Sequence, residues 1–140
     1  MLSTNYLQQI AGDLGFADPK SQVLTAEGYD GVIALLDNIR SCPLPCFILE
    51  DKAFGKIDIA EGPVDSYSLS LWLMISTDPQ ISVSEKYQQA YSLVLQLLKL
   101  LIRDSIEGLD LSSLTYSKRS AADSVGYEIL LTFRVNIDLS

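Results

Sequence analysis

The chain contains no histidine. That removes the side chain used most often as a general base near neutral pH, the commonest nitrogen ligand for metals, and every Ser-His or Cys-His nucleophile pair. Cysteine is nearly missing too: Cys42 and Cys46, in CPLPC, are the only 2. A structural zinc takes four ligands, usually as two close pairs, and one pair without histidine does not supply them. A thiol redox pair normally has two intervening residues, and this one has more. The cysteines therefore read as small residues on either side of the start of a strand, with a local disulfide as the alternative. Phosphate-cradling loops of the GxGxxG or Walker kind are absent. The sequence leads us to expect no catalytic residue, no metal and no cofactor, and the chain is not read as an enzyme.

Basic charge is also scarce. There are 10 Lys and Arg against 18 Asp and Glu, for a net charge of −8. Residues 1–65 hold ten acids and four bases, and residues 66–140 hold eight and six. Neither half offers the basic stripe that nucleic-acid binding requires, and the nearest approach to one is the pair Lys118 and Arg119. MLSTNYLQQIAGD has neither the basic start nor the apolar run of a secretory signal, so an intracellular protein is expected. The longest apolar run, Ala90 to Ile102, is 13 residues interrupted by Gln96 and Lys99. Crossing a bilayer takes about 20, so no membrane insertion is expected.

What is present suits a packed domain. Hydrophobic residues make up 48% of the chain and charged ones 20%, which is not the composition of a disordered segment. At 140 residues the chain forms a single α+β domain, 1–140, able to bury about 70% of its unfolded surface.

Periodicity places the elements. Tyr6, Leu7, Ile10 and Leu14 share a face and predict a helix over 3–14, capped by Ser3 or Thr4 and stopped at Gly15. Tyr29, Val32, Ile33, Leu36 and Ile39 predict a second over 26–40, capped by Thr25, weakened at its start by Gly28 and Gly31, and ended before Pro43. PCFILED reads as a strand over 45–50. VDSYSLSLWLMISTD alternates: Tyr67, Leu69, Leu71, Leu73 and Ile75 point one way, while the opposite face begins as serines and ends in Trp72 and Met74. Something apolar must cover that far end, and the first two helices are the leading candidates, ahead of a partner subunit or a ligand.

Ser82 and Glu85 have capping-box spacing and open a long helix over 84–104. Its stripe of Tyr87, Ala90, Tyr91, Val94, Leu97, Leu98 and Leu101 would suffice to pack on a sheet. Leu93, Leu95, Leu100 and Ile102 lie at or beyond its margins, so cover is expected on more than one side. LDLSSLTYSKRS predicts a strand near 111–118, and GYEILLTFRVNID a second long alternating strand over 126–138. With the strand over 64–77, it should form the centre of the sheet. The expected order is α-α-β-β-α-β-β: a mainly antiparallel sheet of about four strands, the long helix on one face, and two N-terminal helices.

Candidate sites are few. The carboxylate pairs Glu50 with Asp51 and Asp58 with Glu61 read as solvated loop charges. The segment from Asp51 to Pro63 would make a 13-residue connection where two to five residues suffice. It carries Lys52, Phe54, Lys56, Ile57 and Ile59. It is either a projection that reaches a partner or a continuation of both strands to a turn at FGK or AEGP. The interface set expected from these features is Lys52, Phe54, Lys56, Trp72, Met74, Leu93 and Leu100, since aromatic residues and methionine favour interface centres.

The layout of a helix, a strand pair, a long amphipathic helix and a closing strand pair resembles small phage tail-terminator and tail-completion proteins. The resemblance spans roughly residues 27–138 and is carried by VDSYSLSLWLMIST and SVGYEILLTFRV. It implies a structural α+β subunit without catalytic residues, assembled into a ring and contacting other tail or head–tail connector proteins. It also implies a cytoplasmic location during assembly and the virion tail thereafter. The alternative classes are a small ligand-binding or interaction module with a pocket at Trp72, a carboxylate enzyme, and a toxin- or antitoxin-like module.

Overall fold

The computed structural model describes residues 2–38, 43–51, 55–60 and 62–140. The elements run α1 (Thr4–Asp13), β1 (Val23–Glu27), α2 (Gly28–Leu36), β2 (Cys46–Asp51), β3 (Gly55–Asp58), β4 (Val64–Ser76), α3 (Val83–Asp104), β5 (Thr115–Ala121) and β6 (Ser124–Asn136). The fold is α+β, with three helices and one mixed six-stranded sheet ordered β1-β2-β4-β6-β5, and with β3 also paired to β4.

The two long alternating strands form the middle of the sheet, as their pattern predicts. β4 and β6 are antiparallel over their whole length, from Val64 opposite Asn136 to Ser76 opposite Ser124. One position in that ladder is fixed by close approach. Gly126 stands opposite Met74, and a Cβ there would overlap the Leu73 carbonyl oxygen, so only glycine fits without moving β4.

The sheet differs from the expected one at three places. Where the spacing predicts Thr25 as a cap and a helix from residue 26, the chain instead forms β1, which pairs in parallel with β2, Val23 opposite Phe47 through Glu27 opposite Asp51. Thr25 is therefore a strand residue, and α2 begins later, at Gly28, whose φ of +69 turns the chain from strand into helix. Ile39, Arg40 and Cys42, expected to end that helix and begin the next strand, lie outside the described residues. Second, β2 and β3 lie along the same edge of β4, with Glu50 opposite Ser70 and Gly55 opposite Tyr67. Both strands thus continue to a turn between Asp58 and Val64, the alternative that places the turn at AEGP. Third, the strand expected near 111–118 begins later, at Thr115. Before it, Asp110 donates its backbone N–H to Thr132 and Leu109 bridges Phe133.

α1 and α3 lie on the same face of the sheet. Leu7, Ile10, Ala11, Ala90, Val94, Leu97 and Leu101 join Phe47, Leu71, Leu73, Ile129, Leu131 and Phe133 in the larger core. Ser3 and Ser82 cap the two helices, accepting from the N–H of Tyr6 at 3.1 Å and of Glu85 at 3.2 Å. The helices are also tied end to end. The Tyr6 hydroxyl donates to Asp104 at 2.7 Å, and Arg103 pairs with Asp104 at 2.8 Å and Asp13 at 3.2 Å. Among the described residues α2 is the one helix on the opposite face, and it covers one end. Val32 and Leu36 pack there with Cys46, Ile48, Trp72 and Met74 in a second, smaller core.

Candidate interaction surface

Trp72 and Met74 are fully buried within the chain, which removes them from the expected interface. The Trp72 ring has Tyr29 of α2 at 5.8 Å between centroids and the Arg119 guanidinium at 5.5 Å. Its indole N–H donates to Glu50 at 3.1 Å, and Arg119 is held in turn by Glu128 at 2.7 Å. Covering by a helix is thus the outcome for this end of the face, supplied by α2 rather than by both N-terminal helices. Glu50, read as a loop charge, is a half-buried acceptor on the sheet.

Beyond α2 the same face is polar, half-buried at Ser66 and Ser68 and buried at Ser70. Ser66, Ser68 and Ser70 follow one another along β4, with the Ser68 hydroxyl 3.3 Å from that of Thr132 on β6. Lys56 stands opposite Ser66, so it decorates the flank of this face rather than a projecting loop. Lys52 and Phe54 lie outside the described residues.

The outward side of α3 carries a second apolar line. Leu93 and Leu100 are half-buried against the main core, so they serve the fold more than an exterior contact. Besides Val83 at its first turn, the exposed apolar residues of α3 are Tyr91 at 37%, Leu95 at 43% and Ile102 at 56%. With half-buried Leu98 they recur at intervals of four, three and four, the spacing of a helix-packing seam. The stripe on the sheet and this ridge share Tyr91 and Leu98, and for that reason the sequence alone does not separate them.

The ridge lies toward β5. The Tyr91 ring is 5.9 Å from Tyr116 on β5 and 6.1 Å from Tyr127 on β6, and Tyr87 is 5.8 Å from Tyr127. Lys118 reaches over the Tyr87 ring at 4.8 Å, completing a shallow groove of about 290 Å³. Burial, with three tyrosines around it, raises the pKa of the Tyr127 hydroxyl above the ordinary phenol value. Lys118 and Arg119, adjacent in sequence, point to opposite faces, one over Tyr87 and the other over Trp72, so they do not form a basic patch.

Both lateral edges of the sheet are strands with a single partner. Among the described residues β5 pairs only with β6 and is mostly exposed, and β1 pairs only with β2. Such edges present unpaired backbone N–H and C=O groups. Among the described residues no group of acidic or cysteine side chains is placed to hold a metal ion, and no helix is long and apolar enough to cross a membrane. No family model and no curated protein matches this chain.

Proposed function

We propose that the protein is a structural subunit of a phage or prophage tail, of the tail-terminator or tail-completion kind, acting through ring-like self-assembly. The observation that carries this reading is the Tyr91-Leu95-Leu98-Ile102 ridge. The helix already has a complete stripe on the sheet, so a second line at seam spacing fits contact with another copy better than any need of the single chain. Part of the layout on which the resemblance to tail proteins rests is kept, with the long helix α3 between β4 and the closing pair β5 and β6. Partners beyond a second copy would be the tail tube and the head-side connector.

Light scattering after size exclusion, over a range of protein concentrations and at two salt concentrations, tests it. The expected result is a discrete oligomer, a hexamer above all, seen as rings in negative-stain images. Leu95→Glu with Ile102→Glu should shift it to monomer while leaving the melting temperature of the folded chain nearly unchanged, since both side chains are more than a third exposed. A wild-type monomer at every concentration overturns self-assembly as the chain's own property.

A further inference from the structure

The two edge strands, each with one strand partner among the described residues, are complementary to each other. Across the sheet, β1 runs parallel to β2, β2 antiparallel to β4, β4 to β6, and β6 to β5. β1 and β5 therefore run in opposite directions. If one copy is set beside another so that the sheet continues, β5 of the first meets β1 of the second as an antiparallel pair, whose hydrogen bonds run perpendicular to the strands.

Charge follows the same polarity. β5, TYSKRSA, holds Lys118 and Arg119 and no acid, whereas β1 and the first turn of α2, VLTAEGYD, hold Glu27 and Asp30 and no base. Lys118 stands opposite Tyr127, a member of the α1/α3 core, so its side chain lies on that face of the sheet. Glu27 alternates in phase with Val23, which belongs to the same core, so the two opposite charges fall on one face of a continued sheet. A two-fold pairing of β5 with itself would instead centre on Lys118, the middle residue of the strand, and set it against its own copy. Like charges directly opposite are destabilising.

The helix layer continues in register with the sheet. α1 contacts β1, and α3 turns its exposed ridge toward β5. A neighbour docked through β1 brings its α1 beside that ridge, which covers Leu95 and Ile102.

From these features the geometry points to a head-to-tail interface between copies of this chain, in which the β5 edge of one pairs antiparallel with the β1 edge of the next and Lys118 faces Glu27. It rests on the self-assembly reading above and specifies its contact. A heterologous contact of this kind closes into a ring when its rotation permits.

The test is a charge swap followed by mixing. Lys118→Glu and Glu27→Lys are each at exposed positions, and circular dichroism with thermal melting checks that each variant is folded. Each alone should raise the concentration at which the oligomer dissociates by about tenfold or more, because attraction is replaced by repulsion. The double variant should return toward wild type. A one-to-one mixture of the two single variants should also reassociate, because each variant's altered strand then meets an oppositely charged one. If wild type is oligomeric and the single variants dissociate as it does, the edge pairing is wrong and self-assembly stands. If the singles weaken but neither the double nor the mixture recovers, Lys118 and Glu27 do not face each other and the assignment falls. A monomeric wild type removes both.

Discussion

Replacing Leu36 with alanine tests whether Trp72 belongs to the inside of this chain. α2 is a nine-residue helix containing two glycines, too short to hold its shape alone in water. What fixes it is Val32 and Leu36, at 0% and 3% exposure, packed with Ile48, Trp72 and Met74. Leu→Ala at a buried site costs about 2–5 kcal/mol, and a short surface helix can settle into part of the space, so the lower half of that range applies. A loss of about 2–3 kcal/mol is a large share of a total of about 5–15 kcal/mol. For a chain of this length it lowers the melting temperature by roughly 6–15 °C. Trp72 is the single tryptophan, so its emission reports on α2 without added labels. In Leu36→Ala the native emission should move to the red as water reaches the indole. In wild type it should stay constant through the monomer–oligomer transition, since Trp72 is internal in both states. Urea unfolding followed by fluorescence measures both. Stability within 0.5 kcal/mol of wild type together with unchanged emission would show that α2 is not what covers Trp72, and would return that face to the interface.

Gly126→Ala should destabilise by about 1–3 kcal/mol or more, because the new Cβ meets the Leu73 backbone and not a movable side chain; an unfolding midpoint equal to wild type refutes the close approach of β4 and β6. The tie between α1 and α3 predicts a pH dependence with two limbs. Hydrogen bonds from Arg103 and Tyr6 hold the Asp104 pKa below its ordinary value, so its contribution is complete above the usual carboxylate range and is lost as pH falls through the lowered value. Burial and the bond to Asp104 raise the Tyr6 pKa, so its contribution is complete below the ordinary phenol value and is lost as pH rises beyond it. Urea midpoints should therefore fall at both extremes, and Tyr6→Phe should flatten the alkaline limb and shrink part of the acid one; an unaltered profile in that variant would mean that the 2.7 Å bond does not form in solution.

Long, strictly periodic segments were legible in the sequence. β4, β6 and α3 lie within two residues of their expected bounds, because each is long enough for its own pattern to outweigh local exceptions. β1 was not legible, and the reason is physical. Thr25 and Glu27 carry helix-start chemistry, and a five-residue strand that pairs in parallel with a strand some twenty residues onward depends on tertiary contact. The turn after β3 was one of two readings of the same segment, and only the pairing of Lys56 with Ser66 selects it. The burial of the residues expected at an interface was hard to read for a related reason. Trp72 and Met74 have interface chemistry, but burial by α2 is a property of packing. Leu93, Leu95, Leu100 and Ile102 all flank the same stripe. Which flank meets the core depends on the placement of α1, and the sequence of α3 does not contain that.

The distribution of cover over the sheet separates folding from assembly. The face under α1 and α3 holds a continuous core that includes Phe47, Leu71, Leu73, Leu97, Leu101, Ile129, Leu131 and Phe133 without help from another chain. The edge strand β1 adds Val23 to that core from within the same chain, and the core is closed without a second copy, so a subunit can be fully folded before it meets a neighbour. The contacts proposed for the ring use a different set: exposed strand edges, two charges and three half-exposed side chains. Each is weak singly, and they add only when the backbone edges align. An assembly built this way stays monomeric when dilute and closes when copies are concentrated or held side by side on a tail tube. Variants should accordingly fall into two groups. Leu36→Ala and Gly126→Ala lower the melting temperature and disturb assembly only through folding, whereas Lys118→Glu and Leu95→Glu with Ile102→Glu shift the association equilibrium at an unchanged melting temperature of the monomer.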